Sequence, residues 1–173
     1  MAVTKKGYRE VSIAAVDEEY WVAFGSVVNE IKNLLNSENE KCVEEGVKKA
    51  LALIPLYPEI LEDLFIPLAS GVWRCEKYQL RFEEMLSELA KTRPTSFSSD
   101  ALHTWSKNEF WYVRWLVLWI LNGVSYRNPA LVPTALLEEL LNDEKWWNRE
   151  FAETIFNRVM RAKMNIAKKM PEE

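Results

Sequence analysis

The sequence predicts an all-α chain of about four helical hairpins stacked side by side as a short right-handed superhelix. Three observations carry this. No segment keeps the two-residue alternation of a half-buried strand, apart from a brief run near the start. Apolar positions recur at three-to-four spacing in eight segments, separated by Pro, Gly, Asn, Asp and Ser. A short pattern also returns at the start of the later even-numbered segments, as expected of an array of like units. At 173 residues, one domain over residues 1–173 is expected.

Each element follows from its own signals. In residues 1–15, Tyr8, Val11 and Ile13 alternate with polar residues, which predicts an extended N-terminal arm. A helix is expected from about Asp17 to Asn36, with Val22, Phe24, Val28, Ile31, Leu34 and Leu35 on its apolar stripe. Ser37 and Glu40 have the spacing of a capping box that opens a second helix, which stops at Pro55. Pro58 suits the first turn of a third helix, which closes at Gly71. A fourth spans about 76–91 and ends before Pro94; a fifth, about 99–107, follows Ser98, Ser99 and Asp100. Asn108 opens the sixth, about 109–123, with Gly123 marking its end. The seventh covers about 131–142, and Asp143 caps the eighth, which runs to about Lys168.

The internal repeat lies at the helix starts. Asn108 is followed by Glu109-Phe110-Trp111-Tyr112-Val113-Arg114, and Asp143 by Glu144-Lys145-Trp146-Trp147-Asn148-Arg149. Cys75 is followed by Glu76-Lys77-Tyr78-Gln79-Leu80-Arg81, and a degenerate copy begins Glu40-Lys41-Cys42. Beyond these starts, Ile120, Asn122 and Val124 match Ile155, Asn157 and Val159 at an offset of 35 residues. A cap residue accepts the unsatisfied N–H groups of the first turn, and Glu just inside it favours the positive end of the dipole. The arginine can then reach the cap carboxylate or carbonyls of a neighbouring unit, so its expected role is to hold the stack together.

This arrangement resembles the HEAT-repeat family, in which a turn residue, usually Asp, is followed six positions later by an Arg on the second helix of the hairpin. Asp143 to Arg149 and Asn108 to Arg114 match that spacing, and Cys75 to Arg81 keeps it without the acid. The resemblance covers about residues 17–165 and implies a solenoid whose second helices present a concave face to an extended partner.

Composition narrows the function classes. The apolar fraction is 49% and the charged fraction 28%, ordinary for a soluble globular chain. The net charge of −4 argues against coating nucleic acid. It conceals a basic C-terminal helix end over residues 158–173, whose Arg158, Arg161, Lys163, Lys168 and Lys169 are read as a solvated face complementing the helix dipole. Two cysteines and one histidine, without CxxC or HxxxH spacing, make a zinc site unexpected. Free thiols and a polar N-terminus without an apolar leader point to a reducing, cytoplasmic setting. The densest apolar run, Trp115 to Leu121, is too short to span a bilayer. No nucleotide loop, nucleophile elbow or metalloprotease motif is present, so neither a cofactor nor a catalytic role is expected. The adjacent pairs Glu44-Glu45, Glu83-Glu84 and Glu138-Glu139 diverge by about 100° on a helix and are read as solvated faces.

The expected function is therefore a non-catalytic module recognising a protein or peptide through an aromatic-rich concave face. The candidate binding residues are Tyr78, Trp111, Tyr112, Trp115, Trp146 and Trp147, with Arg114 and Arg149. Of these, Trp111, Trp115 and Trp146 are expected nearer the surface, whereas Leu116 and Trp119 are expected in the core. The alternative is a DNA-binding protein. Residues Trp105 to Arg114 resemble a helix start in the HEAT-like DNA alkylation repair glycosylases, whose concave face sets aromatics, arginines and a carboxylate against damaged duplex DNA. That resemblance implies ring and phosphate contacts for Trp111, Arg114, Trp146 and Arg149, and glycosylase-like chemistry if the chain is an enzyme. The family's Trp-x-x-x-Asp element is not matched, since Trp73 is followed at that offset by Lys77.

Overall fold

Proline and cap residues divide the chain into helices. The computed structural model describes the backbone of residues 5–169 and the side chains of residues 20–169. It contains α1 (Lys5–Leu35), α2 (Glu40–Leu53), α3 (Leu61–Arg74), α4 (Gln79–Thr92), α5 (Ser99–Ser106), α6 (Trp111–Arg127), α7 (Thr134–Leu140) and α8 (Trp146–Lys169). No strand occurs among the described residues. Single 3-10 turns at Pro58–Ile60, Pro94–Ser96 and Pro129–Leu131 precede α3, α5 and α7. Each opens with proline, whose fixed φ and missing N–H suit a first helical position. A further 3-10 turn, Glu76–Tyr78, leads into α4.

Helices α6 and α8 start at Trp111 and Trp146, each two residues later than expected, so Asn108 and Asp143 close the turns before them rather than cap their first turns. Asn108 Oδ1 accepts from the Phe110 N–H and Asp143 Oδ1 from the Lys145 N–H, each at 2.9 Å. At α2 the cap is Asn39, which accepts from the Lys41 N–H at 2.9 Å, while Ser37 Oγ accepts from the Asn39 N–H at 3.1 Å. The expected Ser37–Glu40 box is thus replaced by an Asn cap with serine one step behind it.

The N-terminal arm is a correction. Helix α1 begins at Lys5, so most of the segment expected to be extended is helical. No proline interrupts Lys5 to Leu35, and adding turns to an existing helix costs far less than nucleating one. Residues 1–4 lie outside the described residues.

Helix α1 packs with α2, α2 with α3, α5 with α6 and α7 with α8, while α3 touches α4 only lightly. Helix α4 also packs along α6, and α6 against α8, while α1 meets α3. One apolar cluster runs through the described residues from Val28 to Val159. Helix α6 lies in its middle, with Val113, Leu116, Val117, Leu118, Ile120 and Leu121 fully buried. That coverage explains its nearly all-round apolar sequence. Phe65 of α3 stacks on Trp105 of α5 at 3.8 Å between centroids.

Gly71 and Gly123 do not end their helices. Helix α3 continues to Arg74 and α6 to Arg127. Both glycines permit close approach instead. A Cβ on Gly71 would lie 2.9 Å from Leu35 Cδ2 of α1, and one on Gly123 would lie 2.0 Å from the Ser87 carbonyl oxygen of α4. The second obstacle is backbone, which cannot rotate away.

Gly123→Ala is expected to force α4 and α6 apart and to destabilise the fold by about 3 kcal/mol or more. Gly25→Ala in α1, whose Cβ would meet nothing within 4 Å, is expected to stabilise by about 0.5–1 kcal/mol through helix propensity. Denaturant unfolding of the two variants checks both signs.

Candidate functional site

The turns between paired helices are tied together by arginine. Arg114 Nε donates to Asp143 Oδ2 at 2.7 Å and its Nη2 to Asp143 Oδ1 at 3.2 Å, a bidentate pair between α6 and the turn before α8. Its Nη1 donates to the carbonyls of Asn108 and Glu109 at 2.8 and 3.1 Å. Arg149 makes the matching bonds in the next turn, from Nη1 to the carbonyls of Asp143 and Glu144 at 2.7 and 3.2 Å. The Arg114 and Asp143 side chains are only 11% and 3% exposed. Burial alone would raise the Asp143 carboxyl, but Arg114, the Lys145 N–H and Asn148 outweigh it and hold it below its ordinary value. Both arginines thus serve the turns. Arg81, at the same place in α4, is exposed and makes no hydrogen bond among the described residues.

These turns gather tryptophans. Trp73 near the end of α3 meets Trp111 edge-on at 4.9 Å, Trp111 meets Trp147 at 5.1 Å, and Trp147 meets Trp146 at 5.7 Å. The result is an unbroken ridge across α3, α6 and α8. Its interior rings, Trp111 and Trp147, are half-buried, whereas its ends are open: Trp73 is 42% exposed and Trp146 57%. Asn148, fully buried beneath it, donates from Nδ2 to the Trp111 carbonyl at 3.3 Å. The Nε1–H groups of Trp147 and Trp119 are buried without an acceptor among the described residues, so packing rather than hydrogen bonding positions these rings.

The other candidate rings are held by glutamate. Tyr112 is 1% exposed, and its hydroxyl donates to Glu83 Oε1 of α4 at 3.2 Å. Trp115 is half-buried and donates from Nε1 to the same oxygen at 3.1 Å. Trp119, expected in the core, is likewise half-buried, and both indoles pack on Phe151 of α8. Tyr78 is buried and donates to Glu44 Oε1 of α2 at 3.0 Å. Tyr78 and Tyr112 therefore leave the expected contact face; for Tyr112 the close packing of α4 along α6 covers the ring. Glu44 and Glu83 also correct the reading of adjacent acids as solvated faces. One member of each pair points at the next hairpin. Lys77 and Tyr78 hold the Glu44 carboxyl down at about 2. Burial pushes Glu83 up against the hydrogen bonds from Trp115 and Tyr112, with Glu84 adding to the rise.

Comparison with protein-family models, curated proteins and solved structures finds no match to this chain. Its chemistry is therefore read from its own geometry. A recess of about 730 Å³ lies beside the first two turns and includes Glu44, Arg74, Cys75 and Lys77. Burial pushes the Cys75 thiol up, with Glu44 adding to the rise, so it is not an activated nucleophile. No cluster of three or more potential metal ligands occurs among the described residues, and no described helix is long and apolar enough to cross a membrane. His103 is exposed on α5.

Two participants escaped the sequence reading. Trp73 belongs to the end of a first helix, outside the repeated motif, and only the fold brings it to Trp111. Glu83 was hidden by its neighbour Glu84, and the tyrosine four residues after the next cap was the available signal.

Arg114→Ala is expected to cost about 3–5 kcal/mol at pH 7, because it strands a buried carboxylate. The lowered Asp143 value means that the pair's contribution is complete above the unfolded-state value near 4 and lost as pH falls through the lower folded one. The stability gap between wild type and variant should therefore narrow from pH 5 to pH 2, and a constant gap would refute the assignment. Glu83 has the opposite sign. Its raised folded value makes the ionised form a burden at neutral pH that protonation relieves. Glu83→Gln should raise Tm at pH 7, with the gain fading as pH falls through the folded value.

Proposed function

We propose that this chain is a short HEAT-like helical-repeat module, a right-handed superhelix of four hairpins, that binds a protein or peptide partner without catalysis. The observation that carries this reading is the tryptophan ridge. Core indoles fill space and become covered, but this ridge crosses three hairpins and leaves its end rings, Trp73 and Trp146, 42% and 57% exposed. Large rings on a rigid, well-packed base are the residues that dominate binding energy at interfaces.

The ridge favours the turn edge of the stack over the concave face as the contact surface. Exposed Glu76, Glu109 and Glu144 flank it, one from the first turn of each successive unit. A partner with an apolar or aromatic anchor beside basic residues complements that pattern. Geometry disfavours the duplex-DNA alternative at the same residues. Arg114 is committed to Asp143 and two carbonyls, Arg149 Nη1 is committed to its turn, and the flanking acids would repel phosphate. Cys42 and Cys75 are both free thiols, which supports the cytoplasmic setting as part of the same proposal.

Titration with peptides carrying a Trp or Leu anchor between lysines, followed by fluorescence anisotropy, tests the reading. Trp146→Ala and Trp73→Ala are expected to weaken binding by about tenfold or more with little change in Tm. Trp21→Ala, in an exposed apolar area of α1, serves as the control and should leave binding unchanged. Binding that survives both ridge substitutions and fails in the control would sink the ridge as the surface. Tighter, strongly salt-dependent binding of duplex DNA would favour the alternative.

A further inference from the structure

A second polar surface lies farther along the same helices. Thr154, Asn157, Arg158 and Arg161 of α8 line an open recess of about 320 Å³. Their spacing puts all four on one helix face. Measured along α6 from Trp111 to Tyr126, this recess is about 20 Å from the ridge, at 1.5 Å per residue.

Arg158 is built into the recess by neutral groups alone. Its Nη1 donates to Asn122 Oδ1 and Ser125 Oγ of α6, both at 2.7 Å, and its Nη2 donates to the Tyr126 hydroxyl at 3.3 Å. The guanidinium carbon lies 4.0 Å from the centroid of the Tyr126 ring. Lys91 of α4 approaches the same ring, with its Nζ 5.7 Å from the centroid. Three successive hairpins therefore converge on Tyr126 with two cations, and Arg161 adds a third one turn along α8. Among the described residues, none of these three cations has a carboxylate within ion-pair distance. Arg114, by contrast, faces Asp143 directly. The Arg158 Nε–H, the Arg161 guanidinium and the Asn157 amide make no hydrogen bond among the described residues.

The dipole of α8 does not account for this. Arg158 is in the middle of a helix that runs from Trp146 to Lys169, whereas the dipole acts within the last turn. Nor does Arg158 cap α6, since its partners there are side chains rather than terminal carbonyls. A fixed, part-buried fork of N–H donors without a counter-ion, beside a second arginine and an amide, is the arrangement that recognises a tetrahedral oxyanion.

We infer that this recess binds a phosphate monoester, with Arg158 as the pre-positioned fork and Arg161 and Asn157 as further donors. The site stands without the ridge. It rests on the binding-module reading only in assigning the phosphate to a phosphorylated side chain of the peptide partner.

Calorimetric titration with inorganic phosphate, at constant ionic strength against chloride, tests the site itself. Wild type is expected to bind, and Arg161→Gln to bind about tenfold more weakly with unchanged Tm, since its exposed side chain makes no bond that the fold needs. Arg158→Gln should abolish binding, and Trp146→Ala should leave it intact, which separates failure here from failure of the ridge. A phosphoserine peptide that binds more tightly than its unphosphorylated form identifies a peptide source. Phosphate binding without that preference identifies a free phosphate ester and still supports the site. Equal phosphate affinity in wild type, Arg158→Gln and Arg161→Gln, or no phosphate binding by wild type, would overturn the inference. So would duplex DNA binding through these arginines more tightly than the phosphopeptide.

Discussion

The bidentate pair between Arg114 and Asp143 is the contact on which the rest of the turn edge depends. Asp143 does three things at once. It closes the turn before α8 through the Lys145 N–H, accepts both forks of Arg114, and offers its carbonyl to Arg149. Arg114 in turn gathers the carbonyls of the preceding turn. The turns before α6 and α8 are thereby fixed relative to one another. Trp111 and Trp147 lie on opposite sides of this clasp in sequence, and it brings them into edge-on contact. Without the clasp the ridge would have no rigid base.

Successive second helices are linked by polar bonds in a graded series. Between α2 and the turn leading into α4 the bonds run from Tyr78 and Lys77 to Glu44, near the surface. Between α4 and α6 the hydroxyl and indole of Tyr112 and Trp115 share Glu83 in a drier setting. Between α6 and α8 arginine takes over, with Asp143 at one end and with Asn122 and Ser125 at the other. Gly123 sets how near α4 and α6 can come, and that closeness buries Tyr112 and desolvates Glu83. Aromatic residues that a repeat motif marks as equivalent therefore end in different surroundings.

Much of the fold was legible in the chain. Pro58, Pro94 and Pro129 announce their turns, and Asn108 and Asp143 announce the turns before α6 and α8, because these signals act through bonds within a few residues. The phasing of Arg114 and Arg149 was also readable, and with it their structural role. Glycine misled where it was taken as local punctuation. Gly71 and Gly123 serve contacts with α1 and α4, and nothing local in the sequence distinguishes that use from a helix end. The arm over residues 1–15 was misread for a related reason: a weak alternating pattern cannot oppose a helix that is already growing.

The helices and the arginines of the last two turns follow from the chain alone, since periodicity and spacing are properties of short stretches. Only the tertiary structure decided which rings face water. Trp146 and Trp147 are neighbours in sequence, yet one is open and the other half-buried. Tyr112 is covered, and Trp73 joins the ridge from outside the motif. Exposure depends on how closely other helices approach, and that distance is set by residues far along the chain such as Gly123 and Ser87. The same reason explains Arg158, whose charge was legible as part of a basic stretch but whose neutral partners among the described residues come from α6.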